Sequence, residues 1–465
     1  MVKNMATSIA SYQDFKEDMR LDAEYYKDVY LEISKQLLNK PFKFLNEIAT
    51  LKGGATPFMF QYLDEGIPFF RIQNIGICSL KLHGIACINK KIHQTSLKRS
   101  QLKTNDVLFT ITGRLGSTAI IPDNFGEANI NQHMVRIRVI DNKINPFYLM
   151  VFLSSKFGKN QFLRKSYGTT RDALNYTDIN DIKVVEISKN NQKKIEKQIK
   201  KSYKMFTESK DKIKEAEKIL ETELNLDKIQ TQNNNVTLIN YNDFISEMRF
   251  DSQYFSSQNL KSIFSGKFQS KPLKQLCEKI ETGFTPAKDS YWHKGFPVLK
   301  MGCLTNTGID WSKIEFANGG YFEKTKMYIV EEEDIFLTSS AHALEHIAKK
   351  VDIVIGIPKE YQNKLVFVGE IMRLRVKKEL INSYYLLLFL KTELGYRLFQ
   401  NCIRGQTAHI YPKDVENIII PLISTKKQEE IEILITESRK LLEESTGVIN
   451  KSINEVEELI ENESK

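Results

Sequence analysis

The fragment His342-Ala-Leu-Glu345-His346 carries the side chains for zinc chemistry. Two imidazoles and a carboxylate in H-x-x-E-H order would, on a helix, gather on one face around the ion. The flanks argue against that helix. Ile335-Phe-Leu-Thr-Ser-Ser340 before the fragment and Val351-Asp-Ile-Val354 after it read as strands and leave little room. The first half of the chain fills the same place with Arg114-Leu-Gly-Ser-Thr118, which has no histidine. A metal-dependent hydrolase would rest on this fragment alone.

Asn145-Pro-Phe-Tyr148 is similar to the Asn/Asp-Pro-Pro-Tyr/Phe motif of amino-methyltransferases, but the second proline is missing and no glycine-rich cofactor loop precedes it. Its later counterpart fades to Asn382-Ser-Tyr-Tyr385. Asparagine followed by a first-turn proline reads better as a helix cap. Arg20-x-Asp22 and Arg249-x-Asp251, each followed by aromatic residues, read as intrachain ion pairs under aromatic packing rather than as a ligand site. No G-x-x-x-x-G-K-S/T loop and no G-x-G-x-x-G turn after a strand is present, so nucleotide hydrolysis and dinucleotide binding lack their phosphate cradle.

The elements that must position any functional side chains are written twice. Tyr12-Gln-Asp14-Phe15 through Met19-Arg20-Leu-Asp22 to Tyr25-Tyr26 returns as Tyr241-Asn-Asp243-Phe244 through Met248-Arg249-Phe-Asp251 to Tyr254-Phe255. Thr56-Pro57 recurs as Thr285-Pro286, Asp106-Val-Leu-Phe-Thr110 as Asp334-Ile-Phe-Leu-Thr338, and Arg136-Ile-Arg138 as Arg373-Leu-Arg375. Gly168-Thr-Thr170 answers Gly405-Gln-Thr407, and Gln192 answers Gln428. A repeat of half a chain predicts two similar domains related by approximate symmetry. Such an arrangement suits a two-part target, of which duplex DNA is the commonest.

Composition permits this. The 465 residues, 41% hydrophobic and 27% charged, suffice for two to four domains with their own cores. A net charge of +9 is compatible with a nucleic-acid partner without making the chain a generic polycation. Five cysteines without C-x-x-C spacing point to a reducing compartment and away from zinc ribbons or a disulfide framework. Met1-Val-Lys-Asn-Met-Ala-Thr-Ser8 is not apolar, and the longest apolar run, Tyr384 to Leu390, is far too short to cross a bilayer. The expectation is a cytoplasmic protein with no membrane contact.

Within the first repeat, Ile67 to Ile75, Val107 to Thr112, Thr118 to Ile121 and Met134 to Val139 carry strand signals bounded by turn residues. Asn145-Pro146 then opens a buried helix over Phe147 to Leu153. From about Asn190 to Leu226 the pattern turns amphipathic, with Ile195, Ile199, Phe206, Ile213, Ile219, Leu220 and Leu224 at helical spacing. That span makes a helix about 50 Å long. Gln428 to Glu463 repeats it with Ile431, Ile435, Leu442, Ile449, Ile453, Val456 and Ile460. Lysines 193, 194, 197, 200, 201 and 204 crowd the start of the first helix, and glutamates 455, 457, 458, 461 and 463 the end of the second, so antiparallel pairing is favoured. Gln230 to Asn235 reads as a polar linker.

These residues together resemble the specificity subunits of Type I restriction-modification systems. The resemblance lies in the Gly-x-Thr-Pro turns (Gly54 to Pro57, Gly283 to Pro286), the strands that follow Gly66-Ile-Pro-Phe69 and Gly295-Phe-Pro-Val298, the Asp106 and Asp334 strands, the late Gly-x-Thr turns, and the glutamine opening each long helix. It covers almost the whole chain. It implies an α+β molecule in which two similar β-rich target recognition domains are separated by two long antiparallel helices forming an intramolecular coiled coil. The first domain spans residues 1–188, the central spacer helix 189–229, the linker and second domain 230–423, and the C-terminal spacer helix 424–465.

The resemblance further implies a non-catalytic subunit that reads a bipartite duplex site and docks two adenine-N6 DNA methyltransferase subunits and ATP-dependent restriction subunits. A fused restriction-methylase partner, as in some Type IIB systems, is also compatible with the resemblance. No cofactor is then expected on this chain, with S-adenosylmethionine, ATP and Mg on its partners.

Reading bases requires donors and acceptors on loops that can enter a groove, with Lys and Arg on phosphates. In the first domain the candidates are Arg71, Gln73 and Asn74 at the end of a strand, Arg114 in a glycine-rich turn, and Thr169, Thr170 and Arg171 beside Gly168. In the second they are Lys300, Thr305, Ser339, Ser340, His342, Arg404, Gln406, Thr407 and His409. The two sets differ where the frames agree, which predicts unlike half-sites. Arg136, Arg138, Arg373 and Arg375 alternate along a strand and serve equally well as ion-paired framework. The competing reading is a non-DNA scaffold with duplicated protein-binding domains, whose helices would pair between chains to make a dimer.

Overall fold

A computed structural model of the chain describes residues 20, 22–56, 61–82, 84–166, 173–226, 268–305, 307–403 and 408–462. The second copy of the tyrosine repeat, all of the first copy before Arg20, and the 230–235 linker lie outside these residues. The chain forms two compact units, residues 1–208 with 441–465 and residues 209–440.

Unit 1 contains β1 (Phe42–Phe44), β2 (Ala49–Gly53), β3 (Ile67–Phe70), β4 (Ala86–Ile88), β5 (Val107–Thr110), β6 (Thr118–Ile120), β7 (Asn129–Ile130), β8 (Met134–Val139) and β9 (Lys183–Val185). An antiparallel sheet of order β2-β8-β5-β6 lies beside a smaller sheet β4-β3-β7, and β1 pairs with β9. The unbroken apolar run of β5 has a physical cause. Val107 and Phe109 belong to the main core while Leu108, one residue apart and on the opposite face, belongs to the core of the smaller sheet.

Unit 2 contains β10 (Gln269–Pro272), β11 (Cys277–Thr282), β12 (Tyr291–Trp292), β13 (Phe296–Leu299), β14 (Glu315–Ala317), β15 (Ile335–Thr338), β16 (Ser340–Ala341), β17 (Val351–Ile353), β18 (Val366–Phe367), β19 (Ile371–Val376), β20 (Ala408–His409) and β21 (Ile419–Leu422). Its sheets β11-β19-β15-β17 and β12-β14-β13-β18 repeat those of unit 1. Strand β15 is shared between two cores in the same way: Ile335 and Leu337 enter one and Phe336 the other.

Identical devices lock the frames. In unit 1 Arg138 clasps Asp106 at 2.6 Å through both carboxylate oxygens. In unit 2 Arg375 clasps Asp334 at 2.7 and 2.8 Å, and the fully buried Arg373 adds bonds to Asp334, Glu281 and the Ile329 carbonyl. Arg136 donates to the Gln101 carbonyl at 3.1 Å. All four strand arginines therefore serve the framework. Arg20 likewise pairs with Asp22 at 2.7 Å and lies over the Tyr25 ring, as the sequence reading of that motif expects.

The helix Pro146–Ser154 buries seven consecutive residues, Phe147 to Leu153. Each fully buried large apolar side chain contributes about 1.5–3 kcal/mol, which explains why this segment is apolar all round. Asn145 caps it, accepting the Phe147 N–H at 2.8 Å, and Asn382 caps the matching helix Ser383–Lys391 by accepting the Tyr384 N–H at 2.9 Å. The methyltransferase-like fragment at Asn145 is thus a helix start.

Two long helices, Lys189–Leu224 and Thr425–Asn462, each contribute a portion to both units. Within unit 1 Lys194 pairs with Glu455 at 2.6 Å, Gln198 donates to Glu455 at 2.8 Å, and the Ser202 hydroxyl meets that of Ser445 at 2.9 Å. Within unit 2 Ser209 meets Ser438 at 2.9 Å and Lys212 meets Glu437 at 2.7 Å. Numbers rise along one helix as they fall along the other, so the portions run antiparallel in each unit. The apolar stripe read from the sequence is joined by a second one of small residues. Ser202, Ser209, Ala216, Ser438, Ser445 and Ser452 are all buried at seven-residue steps; Ser202 and Ser445 also bond to each other's backbone carbonyls, and Ser438 donates to that of Ser209. Among the described residues no helix is long and apolar enough to cross a membrane.

Candidate nucleic-acid interface

In both units the loops join at one end of the main sheet through the same wiring. The Gly-x-Thr-Pro turn begins where β2 ends. A Cβ at Gly54 would overlap the Asn131 carbonyl, and one at Gly283 the Phe367 carbonyl, so only glycine lets these backbones approach. The turn's threonine then reaches across: Thr56 hydrogen-bonds Gln132, whereas Thr285 donates to Glu370 at 2.7 Å and accepts the Gly369 N–H at 3.0 Å.

The next link leads to the β5 hairpin loop. His133 Nδ1 meets the Thr112 hydroxyl at 2.9 Å, and the Ile111 N–H donates to the His133 carbonyl at 3.0 Å. In unit 2 the N–H groups of Ser339 and Ser340 donate to the Glu370 carbonyl at 3.0 and 3.2 Å. The hairpin loop pairs in turn with residues that follow the late Gly-x-Thr sequences: Thr112 bridges Ala173, and Ser340 and Ala341 pair with His409 and Ala408. Among the described residues, segments distant in sequence thus form one polar edge in each unit.

Several candidates occupy this edge or its border. Arg114 is exposed at the hairpin tip of unit 1, and His342 at that of unit 2. Ser340 and His409 are half-buried partners on β16 and β20, and the His409 ring stacks with the exposed Tyr411 at 6.2 Å. Gln73 lies in a 3-10 turn (Ile72–Asn74) and Arg71 immediately before it, rather than on a continuing strand, and Ile72 packs beside Gly113 of the hairpin. Gln73 is exposed, and Arg71 lies 4.9 Å above the Tyr62 ring. Lys300 repeats this geometry, 4.7 Å above Tyr291, and pairs with Glu315 at 2.9 Å. Burial works against its charge, but Glu315 and Tyr291 outweigh that and raise its pKa; burial also raises that of Tyr291.

Other candidates are turned to structural use. Asn74 is 1% exposed, accepts the Arg71 N–H at 3.0 Å and donates to the Lys81 carbonyl, so its amide holds the turn. Ser339 is 2% exposed beneath the edge. Thr305 donates to the Gly308 carbonyl at 2.7 Å, closing its own loop. Thr169, Thr170, Arg171, Arg404, Gln406 and Thr407 lie outside the described residues.

The zinc-like fragment has no helix to work on. Ala341 ends β16, and Leu344–His346 is a single 3-10 turn in which the Glu345 carbonyl accepts from the Tyr396 hydroxyl and the Leu344 and Ile347 carbonyls accept from the Gln400 amide. Among the described residues no group of three His, Cys, Asp or Glu side chains is placed to hold a metal. Burial pushes the Cys78 thiol up to about 11 and that of Cys277 to about 12, so neither is a nucleophile at neutral pH.

Gln132, His133 and Glu370 were not among the candidates. Their signal is present in the repeat: counted back from Arg136 and Arg373, Gln132-His133 stands opposite Gly369-Glu370, an unlike polar pair immediately before a shared strand.

A family model described as Type I restriction modification DNA specificity domain matches the chain twice, over residues 39–218 and 265–457. The specificity subunit of the Type I restriction enzyme EcoBI from Escherichia coli is 29% identical over 117 residues, 25% of this chain and 24% of that protein. The aligned stretch thus spans about a quarter of that relative. Among solved structures, the S subunit of a Type I restriction-modification system from M. genitalium matches over 90% of this chain and 94% of its own, with 12% identity and a TM-score of 0.41. The HsdS subunit from Thermoanaerobacter tengcongensis matches over 91% and 96%, with 14% identity and a TM-score of 0.29.

Proposed function

Because the chain belongs to the Type I restriction modification DNA specificity family, we propose that it reads a bipartite, asymmetric duplex site with the loop edge of each unit and docks the subunits that act on that site. In this role the chain is a specificity subunit and performs no catalysis itself. Residues 1–188 are the first target recognition domain, residues 230–423 a linker and the second, and residues 189–229 and 424–465 pair as an antiparallel coiled coil that sets the distance between half-sites. Two adenine-N6 methyltransferase subunits carry S-adenosylmethionine, and restriction subunits carry ATP and Mg.

The observation that carries the reading is a matched frame with unmatched edges. Thr56, Thr112 and Arg114 with Gln132 and His133 face the same work as Thr285, Ser340 and His342 with Glu370 and His409, yet donors, acceptors and charges differ. Base edges in the major groove are told apart by such patterns, each good contact contributing about 1–3 kcal/mol of discrimination. Two unlike edges require two unlike half-sites, and the base pairs between them need no contact.

The test is to map methylated adenines in a genome expressing the chain with its methyltransferase. Two short, different sequence blocks separated by a fixed gap of unrestricted bases are expected. A single contiguous or palindromic block, or methylation without sequence preference, would overturn the proposal.

A further inference from the structure

Residues 66–105 of unit 1 contain no Asp or Glu, but seven basic residues: Arg71, Lys81, Lys90, Lys91, Lys98, Arg99 and Lys103. With 58 acidic residues in 465, about five would fall in a stretch of this length by average composition. The matching stretch of unit 2, residues 295–333, carries four lysines against six acidic residues. The same piece of the frame is therefore strongly cationic in one unit and slightly anionic in the other.

The structure shows how each charge is used. In unit 2 Lys300, Lys313 and Lys326 pair with Glu315, Asp310 and Glu323 at 2.9, 2.7 and 3.1 Å. In unit 1 Lys81, Lys90, Lys91, Lys98, Arg99 and Lys103 are all exposed, and among the described residues none has a carboxylate within ion-pair distance. Two carboxylates do touch the segment. Asp106 is buried and held by Arg138, and Glu127 lies beside His93.

The segment is also well placed. It builds β4, the helix Lys90–Gln94 and the 3-10 turn Lys98–Ser100. Ile92 and Leu97 share one small apolar cluster, built on Phe69 and Ile88, with Ala55 of the Gly-x-Thr-Pro turn, which belongs to the polar edge. The segment therefore borders the edge on which the proposed function places the duplex. Exposed cations left without partners at such a place match a row of phosphates, which needs charge and carries no sequence information.

We propose that this face of unit 1 is a phosphate-gripping surface for duplex DNA beyond the bases read, so that unit 1 supplies most of the chain's salt-dependent affinity and unit 2 little of it. The proposal deepens the DNA-reading function and rests on it for the position of the duplex.

The test uses the full-length chain, a fluorescent duplex of mixed sequence, and NaCl titrations of the dissociation constant. Replacing Lys90, Lys91, Lys98 and Arg99 together by Gln (K90Q/K91Q/K98Q/R99Q) should lower the slope of log affinity against log salt by about three to four, because each phosphate contact adds about 0.9. The control K313Q/K324Q/K326Q in unit 2 should change it by less than about one. Thermal melting establishes that both variants are folded. An unchanged slope in the first variant, or equal losses in the two, overturns the proposal. So does wild-type binding to phosphatidylglycerol vesicles that exceeds binding to duplex and disappears in the first variant, which would make the face a membrane contact. Sequence selection with the wild type separates the two levels. Selection with an unchanged slope defeats the grip alone, while a lowered slope without selection defeats the specificity reading alone.

Discussion

The Gln192 side chain accepts the backbone N–H of Asn145 at 2.7 Å, fastening the cap of the buried helix to the long helix behind it. The same glutamine donates to the Ile187 and Lys143 carbonyls, while Asn145 donates to Glu196. Gln428 repeats this with Asn382 at 2.9 Å and with the Ile423 carbonyl. Both glutamines are nearly fully buried, so removing the amide leaves backbone groups unsatisfied. Gln192→Ala and Gln428→Ala should each cost about 1–3 kcal/mol in urea unfolding. Gln192→Glu should cost no less, because a carboxylate would face two carbonyl oxygens.

Asp352 in unit 2 is fully buried, held by Arg439, by Lys391 at 3.4 Å and by the Gly308 N–H at 2.7 Å. Burial alone would raise its pKa, but Lys391 and Arg439 overcome that and hold the carboxyl below the usual range. Burial lowers the Lys391 pKa, against the pull of Asp352. A depressed folded-state pKa means that the ionised carboxylate stabilises the folded unit above the unfolded value of about 3.9, and that this is lost as pH falls through the lowered one. Asp352→Asn should therefore destabilise by about 3–5 kcal/mol at neutral pH. The gap between wild type and variant should shrink between pH 5 and the acid limit. Urea midpoints measured across that range check it, and a constant gap would contradict it.

The serine pairs make a prediction about size. Ser202 and Ser445 are buried and bonded to one another and to each other's carbonyls. Ser445→Ala should cost about 1 kcal/mol or less, since it removes hydrogen bonds without adding volume. Ser445→Leu should cost about 1–3 kcal/mol by overpacking. Melting temperatures should rank in that order, and a leucine variant as stable as wild type would argue that the helices can separate freely.

Arg114 and His342 occupy corresponding hairpin tips of the two units. On the proposed function, Arg114→Ala should relax discrimination by about 1–3 kcal/mol in one half-site and leave the other unchanged. His342→Ala should do the converse. Competition binding with duplexes altered in one half at a time reads both effects, and loss in both halves from either substitution would refute the assignment.

Much of the frame was legible because periodicity and capping are local. Asn145-Pro146 names a helix start wherever it occurs, and an apolar run such as Val107 to Thr110 bounded by Asp and Gly names a buried strand. Strand Ile67–Phe70 stopped earlier than its apolar run suggested, because Asn74 bonds back to the Arg71 N–H and turns the chain. The loop residues were legible as a group but not one by one. Asn74, Ser339 and Thr305 have the same chemistry as exposed readers, and only burial and hydrogen-bond partners show that Asn74 and Thr305 hold turns and that Ser339 lies beneath the edge.

By itself the sequence determined the duplication, the β-rich repeats, the long amphipathic helices and the family, since all of these are carried by residue type and spacing along the chain. Tertiary structure alone decided which loops meet. Thr56 finds Gln132, His133 finds Thr112, and Thr112 bridges Ala173 across distances in sequence that no local pattern encodes. It also decided which charges remain free. Lys300 and Lys90 are equally basic in sequence, but the fold brings Glu315 to one and leaves the other facing water, and a charge can hold a phosphate only when no carboxylate already neutralises it.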